Sequence, residues 1–425
     1  MGVFERSQAS TLLDRLSEKP RRLMIVTGPR QTGKTTLVQQ VLGKLDRPSH
    51  YVAVDEPETT VLPPVPDLEG VTPEFAEFQI DPLGGPRGAR WLVRKWELAR
   101  MAAERSDRGF VLAIDEIQKI PNWSEAVKGL WDADRLHDRL LHVVLLGSAP
   151  LLMQHGLSES LAGRYETVRL MHWSFAEMAA AFGFDLHRYV YFGGYPGSAP
   201  LVAEQGRWRA YVSEALIEPN IERDILAMQR VDKPALLKRL FQLGAEYSGQ
   251  ILSYNKMLGQ LQDAGNTTTL ARYMDLLSNA GLIAGLPKYA AGIHRRRSSS
   301  PKLNVLNTSL MAIASGYAFE EAMADRSHWG RLVESAVGAH LFNTGIPEYH
   351  LHYWRENGCE VDFVLARGRR LVAFEVKSGA RRPRTSGLEQ FAQRFDVQAS
   401  VVVGTGGVPL SEFLSTPASE WFDTP

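Results

Sequence analysis

Apolar residues follow two different periods along this chain, and the alternation between them predicts its layout. Leu23-Met-Ile-Val26, Phe110-Val-Leu-Ala-Ile114 and Leu141-His-Val-Val-Leu-Leu146 are short apolar runs, the pattern of strands buried on both faces. His50-Tyr-Val-Ala-Val54 reads as a further strand. Between these runs the spacing becomes helical. Residues 1–19 place Leu12, Leu13 and Leu16 on one side, and Thr35–Leu45 carries Leu37, Val38, Val41, Leu42 and Leu45. Trp91–Glu104 repeats the spacing through Leu92, Trp96, Leu98 and Met101. Strands alternating with helices over residues 22–170 predict an α/β fold around a parallel sheet with right-handed crossovers. Residues 57–73 hold five prolines and few apolar anchors, which predicts a surface loop.

Later in the chain the pattern changes. Leu236, Leu237, Leu240 and Leu243 mark one helix, Tyr254–Leu261 a second, and Thr268–Ala280 a third with Leu270, Tyr273, Met274 and Leu277 on its packed face. Leu282–Tyr289 then reads as extended. Arg331–Phe342 is helical. Glu360-Val-Asp-Phe-Val-Leu365 alternates as a strand, Gly368 turns it, and Leu371–Lys377 returns. Residues 410–425 read as an acidic, loosely held tail.

Bulk properties narrow the field. At 425 residues the chain is too long for one core, and about three domains are expected. Forty-eight basic residues balance forty-eight acidic ones, so contact with DNA or RNA requires local patches. One cysteine, Cys359, excludes an internal disulfide and fits a reducing compartment. No apolar run approaches the ~18 residues of a membrane span, and the N-terminus lacks a signal-peptide core. The expected setting is the cytoplasm, with no membrane partner.

Gly28-Pro29-Arg30-Gln31-Thr32-Gly33-Lys34-Thr35-Thr36 has the spacing of a phosphate-binding loop, set between a strand and a helix. Its backbone N–H groups and the following helix terminus suit the phosphates of ATP. Lys34 reaches the β- and γ-phosphates in such a loop, and the Thr35 hydroxyl holds Mg²⁺. At the end of the third run, Asp115 is a candidate Mg²⁺ holder, and Glu116 a candidate to orient and activate water. The alternative is an ordinary strand end meeting a turn. Ser148, ending the next run, is a candidate γ-phosphate sensor by sheet topology.

A second constellation lies near the C-terminus. Period-two geometry sets Glu375 and Lys377 on one face, and antiparallel pairing can bring Asp362 alongside. Two carboxylates suit Mg²⁺ or Mn²⁺, and a lysine suits water or developing charge at a phosphodiester. Arg367, Arg369, Arg370, Arg381, Arg382 and Arg384 are expected to form a basic rim around them. The alternatives are a hairpin with solvated charges or a fold without activity.

Together with Ile114-Asp-Glu-Ile-Gln-Lys119, Gly147-Ser148, Leu161-Ala-Gly-Arg164, Ser174-Phe-Ala-Glu177 and Gly193-Gly-Tyr-Pro196, the loop resembles prokaryotic AAA-type ATPases. The family resembled carries a winged helix-turn-helix and a C-terminal PD-(D/E)XK nuclease-like domain of restriction-endonuclease type. The resemblance implies an AAA-type domain with a helical lid over residues 1–225, the winged helix over 226–305 and the nuclease-like domain over 306–425. It implies that Arg164 stabilises transition-state charge, within its own chain or across a homo-oligomer interface; a structural salt bridge is the equal alternative. Glu222-Arg223-Asp224 resembles a family motif, or pairs charges along a helix. Asn307 stands where the family usually has an acid, so no charge-dependent role is expected there. Asp362, twelve residues, then Glu-x-Lys resembles the nuclease motif, with Glu334 as an additional metal-binding carboxylate and Lys377 as its catalytic lysine. The implied function is ATP hydrolysis coupled to nucleic-acid binding and cleavage. The competing reading is a nucleotide-gated scaffold that recognises a partner; a kinase is disfavoured by Asp115, Glu116 and Arg164.

Overall fold

The computed structural model describes residues 4–55, 87–147, 153, 157, 160–225, 231, 233–262, 265–290, 299–345, 347–379 and 386–423; of Arg223 and Asp224 it describes the backbone alone. The chain divides into two compact units. One comprises Met1–Thr27 with Gly33–Leu170, the other Gly28–Thr32 with Met171–Pro425. The proline-rich segment 57–73 lies outside the described residues.

The first unit is built on five parallel strands in the order β2-β3-β4-β1-β5. They are β1 (Leu23–Thr27), β2 (Ser49–Ala53), β3 (Phe110–Asp115), β4 (Leu141–Leu146) and β5 (Tyr165–Arg169). Successive side chains of one strand point to opposite faces, so each apolar run feeds two cores. Leu23, Ile25, Leu112, Ile114, Val143 and Leu145 pack on one face beneath helices Ala89–Glu104 and Trp123–Leu136, through Trp91, Trp96, Trp123 and Trp131. Met24, Val26, Val111, Ala113, Val144 and Leu146 pack on the other against helices Gln8–Ser17 and Lys34–Leu42. That is why these strands read as unbroken apolar runs. β5 was not legible in that way. It pairs only with β1, as an edge strand, and exposes Glu166 and Arg169.

One polar contact runs through the tryptophan-lined core. Asp134, wholly buried, accepts from Trp96 Nε1 at 2.6 Å and from Arg100 Nε at 2.6 Å, tying the two covering helices together.

The second unit begins with short helices, Phe175–Phe182 and Leu186–Phe192. Ser174 and Glu177 cap the first with reciprocal bonds. Helices Pro234–Glu246, Tyr254–Gln260 and Thr267–Asn279 follow in the expected places. An antiparallel pair comes next, β6 (Ile283–Leu286) with β7 (Lys302–Val305). Helix Arg326–Gly345 then covers a four-stranded sheet of order β11-β10-β9-β8. Its strands are β8 (His350–Glu356), β9 (Cys359–Arg367), β10 (Arg370–Lys377) and β11 (Ala399–Gly404), with only β10 and β11 parallel. No helix among the described residues is long and apolar enough to cross a membrane.

Residues 410–423 are not loosely held. Phe413 and Phe422 are buried, and rings of Phe413 and Trp421 stack 5.1 Å apart while Phe422 stacks on Tyr349 at 4.9 Å. The acids in this stretch alternate with aromatic anchors, and the anchors decide its fate.

Candidate functional site

In the first unit the carboxyl ends of parallel strands share one edge of the sheet. β1 occupies the switch point, since the chain leaves it toward β4, β3 and β2 on one side and β5 on the other. The turn after β1 leads into helix Lys34–Leu42, whose N-cap Gly33 has φ 87°, a conformation open to glycine. Lys34 is buried. The Thr35 hydroxyl donates to Asp115 Oδ2 at 2.6 Å, so the loop threonine and the strand-end acid meet.

Asp115 is further fixed. Tyr51 on β2 donates to Oδ2 at 2.6 Å, and the Glu116 N–H donates to Oδ1 at 2.8 Å. Glu116 has φ 55°, which strains a residue bearing a Cβ. Its carboxylate accepts from Gln118 Nε2 at 2.5 Å, with Lys119 Nζ 3.8 Å away. Gly147 passes so close that a Cβ there would meet Gln118 Oε1 at 2.6 Å. Tyr51, Gln118 and Gly147 thus shape this site, although the sequence did not single out the first two. Strand order brings Tyr51 to Asp115, and no spacing rule reveals strand order. Thr35 and Asp115 offer hard oxygen donors at one point, a fit for Mg²⁺.

The segment Gly28–Thr32 packs within the second unit. Gly28, Pro29 and Thr32 are buried, Arg30 is half-buried and Gln31 is exposed with φ 61°. The Thr32 hydroxyl donates to Pro29 O at 3.0 Å, and Trp173 Nε1 donates to Thr32 O at 3.0 Å. His172 Nε2 lies 2.7 Å from Gly281 O, and its Nδ1 lies 3.3 Å from Asn307 Nδ2. Asn307 Oδ1 accepts from Gly194 N at 3.1 Å and caps helix Thr308–Ser315. The uncharged Asn307 side chain thus does structural work here. Thr36 is exposed on the first turn of its helix.

Arg164 forms a two-pronged pair with Asp132, at 2.7 Å through Nε and 2.9 Å through Nη2. Ser148 lies outside the described residues, as do Arg381, Arg382 and Arg384. Glu222 pairs with Lys238.

In the second unit Asp362 on β9 accepts from Val376 N on β10 at 2.8 Å, so Asp362, Glu375 and Lys377 do converge. Lys377 Nζ pairs with Glu375 Oε1, while Glu375 Oε2 is buried without a partner. Glu334 meets Lys302 from β7, whose Nζ lies 2.6 Å from Glu334 Oε1 and 3.4 Å from Asp362 Oδ1. Lys302 was missed; its only signal is a lysine heading a short strand whose Leu303 and Val305 are apolar. No group of three or more acidic, histidine or cysteine side chains arranged to hold a metal occurs among the described residues. Two arginines of the expected rim lie away from Asp362. Arg367 and Arg370 pair across the turn joining β9 and β10, about 16 Å along the strand from Asp362.

Burial, then the neighbouring Asp362, pushes the Glu375 carboxyl up to about 7, and burial also raises Glu334 to about 7. An unfolded carboxyl titrates near ~4.3. Between those values the folded chain holds the extra proton, so this contribution to stability is lost as pH rises toward 7. Glu375→Gln removes it. Its melting temperature relative to wild type should therefore shift upward by about 2–4 °C between pH 5 and pH 8. Thermal scans at both pH values check this, and a pH-independent difference would contradict the raised Glu375 carboxyl.

Comparison with known families gives three matches along the chain. The model of an AAA domain matches residues 20–179. Two families, each a domain of unknown function (DUF8612 and DUF4143), match residues 183–321 and 329–418. Uncharacterized proteins of Mycobacterium bovis and Mycobacterium tuberculosis are each 28% identical over 378 residues, 88% of this chain and 74% of theirs. Among solved structures, the Walker-type ATPase of Pyrococcus abyssi is similar over 74% of this chain and 96% of its own, at 15% identity and TM-score 0.48. The Thermotoga maritima RuvB Holliday junction branch migration motor is similar over 66% and 90%, at 16% identity and TM-score 0.30. Residues 20–179, which match the AAA domain, hold the phosphate-loop threonine bonded to the acid at the end of β3.

Proposed function

We propose that this chain hydrolyses ATP with Mg²⁺ and uses the nucleotide state to govern its C-terminal half. The contact between Thr35 and Asp115, with Glu116 next in the chain, carries this reading. Lys34 and the loop N–H groups bind the β- and γ-phosphates, and Thr35 and Asp115 hold Mg²⁺, which offsets phosphate charge when bound. Glu116 orients a water whose oxygen attacks the γ-phosphorus. The bond to the bridging oxygen breaks, ADP leaves, and the proton of the water passes to the Glu116 carboxylate. The Arg164–Asp132 pair favours a structural role for that arginine.

The C-terminal half has two readings. A winged helix joined to a nuclease-like module that cuts DNA or RNA is supported by the Val376 N–H bond that sets Asp362 beside Glu375. A partner-binding module is supported by the buried lysine already paired with Glu334 and Asp362. One experiment serves all of these. Calorimetry with Mg·ATP should give tight binding to wild type and at least ~100-fold weaker binding to Lys34→Ala, which loses the phosphate clamp. Equal affinities would sink the nucleotide site. The same preparations, with Asp362→Asn as control, are incubated with single- and double-stranded DNA and RNA in Mg²⁺ or Mn²⁺, with and without ATP. Cleavage lost in Asp362→Asn supports the nuclease reading; no cleavage anywhere removes it and leaves partner binding.

A further inference from the structure

Lys302 is the least expected residue of the second unit. It heads β7, pairs with Leu286 of β6, and is 0% exposed. A buried ammonium persists only where carboxylates or carbonyls surround it. Here its Nζ reaches Glu334 Oε1 at 2.6 Å, the Asp362 carbonyl at 3.2 Å, Asp362 Oδ1 at 3.4 Å and Glu360 Oε1 at 3.8 Å. The Phe363 ring lies 4.8 Å away and closes one side. Burial alone would lower the Lys302 amine, but Asp362 and Glu334 hold it above its ordinary range.

Both Asp362 oxygens and one Glu334 oxygen that would face a divalent ion are therefore already engaged, while Glu375 Oε2 is left without a partner. Asp362 gives one oxygen to Lys302 and the other to Val376 N. Glu334 gives Oε1 to Lys302. A metal ion placed among these oxygens would sit within a few ångströms of the Lys302 ammonium, and two cations so placed repel. Lys302 arrives from the β6–β7 hairpin, not from the sheet that carries Asp362 and Glu375, so its presence depends on where that hairpin sits.

We propose that Lys302 is the resident cation of this acidic cluster, an autoinhibitory clasp that excludes divalent metal while the β6–β7 hairpin is seated. This rests on the nuclease-like reading of Asp362 and Glu375 only for what an opened site would do; the clasp itself is a matter of charge and place.

The test is Mn²⁺ binding to the full chain without nucleotide, followed by electron paramagnetic resonance and by the Mn²⁺-induced shift in melting temperature. Wild type should show no site that depends on Asp362. Lys302→Met should gain one Mn²⁺, at least about tenfold tighter than any such wild-type binding, and lose it again in Lys302→Met/Asp362→Asn. Mn²⁺ should raise the melting temperature of Lys302→Met but not that of wild type. Should Lys302→Met fail to fold, Lys302→Met/Glu334→Gln removes one opposing charge as well and is measured identically. Mn²⁺ binding to wild type that Asp362→Asn abolishes would overturn the clasp. So would folded variants that gain no Mn²⁺, or failure of both variants to fold with Mn²⁺ present. Cleavage assays are read separately: Mn²⁺ gained without cleavage keeps the clasp and sinks the nuclease reading.

Discussion

Glu116→Gln is expected to bind Mg·ATP as tightly as wild type and to turn it over about 100- to 1,000-fold more slowly. The amide keeps the size of the carboxylate and its ability to accept the Gln118 N–H bond, so the strained turn at φ 55° should survive. Lys34, Thr35 and Asp115 are untouched, so the groups proposed to hold the phosphates and Mg²⁺ remain. What is lost is the negative charge that takes a proton from water as the γ-phosphoryl group transfers. Affinity by calorimetry and single-turnover hydrolysis separate the two effects. Equal turnover by wild type and variant would take Glu116 out of the mechanism. A variant that lost affinity and turnover together would instead assign Glu116 to nucleotide binding.

How much of this was legible follows from where each signal resides. The phosphate loop and the acids after β3 are local, because one strand end and one turn hold all their residues, and the chain alone reveals them. The two-faced burial of β1, β3 and β4 was legible too, since apolar side chains fill most positions on both faces. Tyr51 and Lys302 were not legible, for a shared reason. Each reaches its acid from a distant strand, 64 residues away for Tyr51 and 60 for Lys302, and only strand order and hairpin placement make them neighbours. The second case changed the chemistry. Acids with the spacing of metal ligands turned out to be matched by an ammonium. The acidic tail failed on composition, which counts charges but not the phenylalanines between them.

The largest stability loss should come from a residue that no catalytic argument touches. Asp134 is 0% exposed, and its two oxygens accept from Trp96 Nε1 and Arg100 Nε at 2.6 Å, with Arg139 Nη1 at 3.3 Å. Asp134→Ala leaves an indole N–H and a guanidinium in the tryptophan-lined core without their acceptor. Losing one partner of a buried ion pair costs about 3–5 kcal/mol, far more than a surface pair contributes. Arg100 keeps the Leu130 carbonyl at 2.7 Å and Glu97 at 2.6 Å, which moves the expectation to the lower end, ~3 kcal/mol. Asp134→Asn retains one acceptor and should cost roughly half as much. The double variant Asp134→Leu/Arg100→Met, apolar on both sides, should be more stable than Asp134→Ala, because no uncompensated charge remains buried. Hydrogen exchange over Ala89–Glu104 and Trp123–Leu136 reads the effect locally, where a whole-chain melting curve would mix two units. Protection unchanged in Asp134→Ala would show that packing by Trp96 and Trp131 alone holds these helices to the sheet.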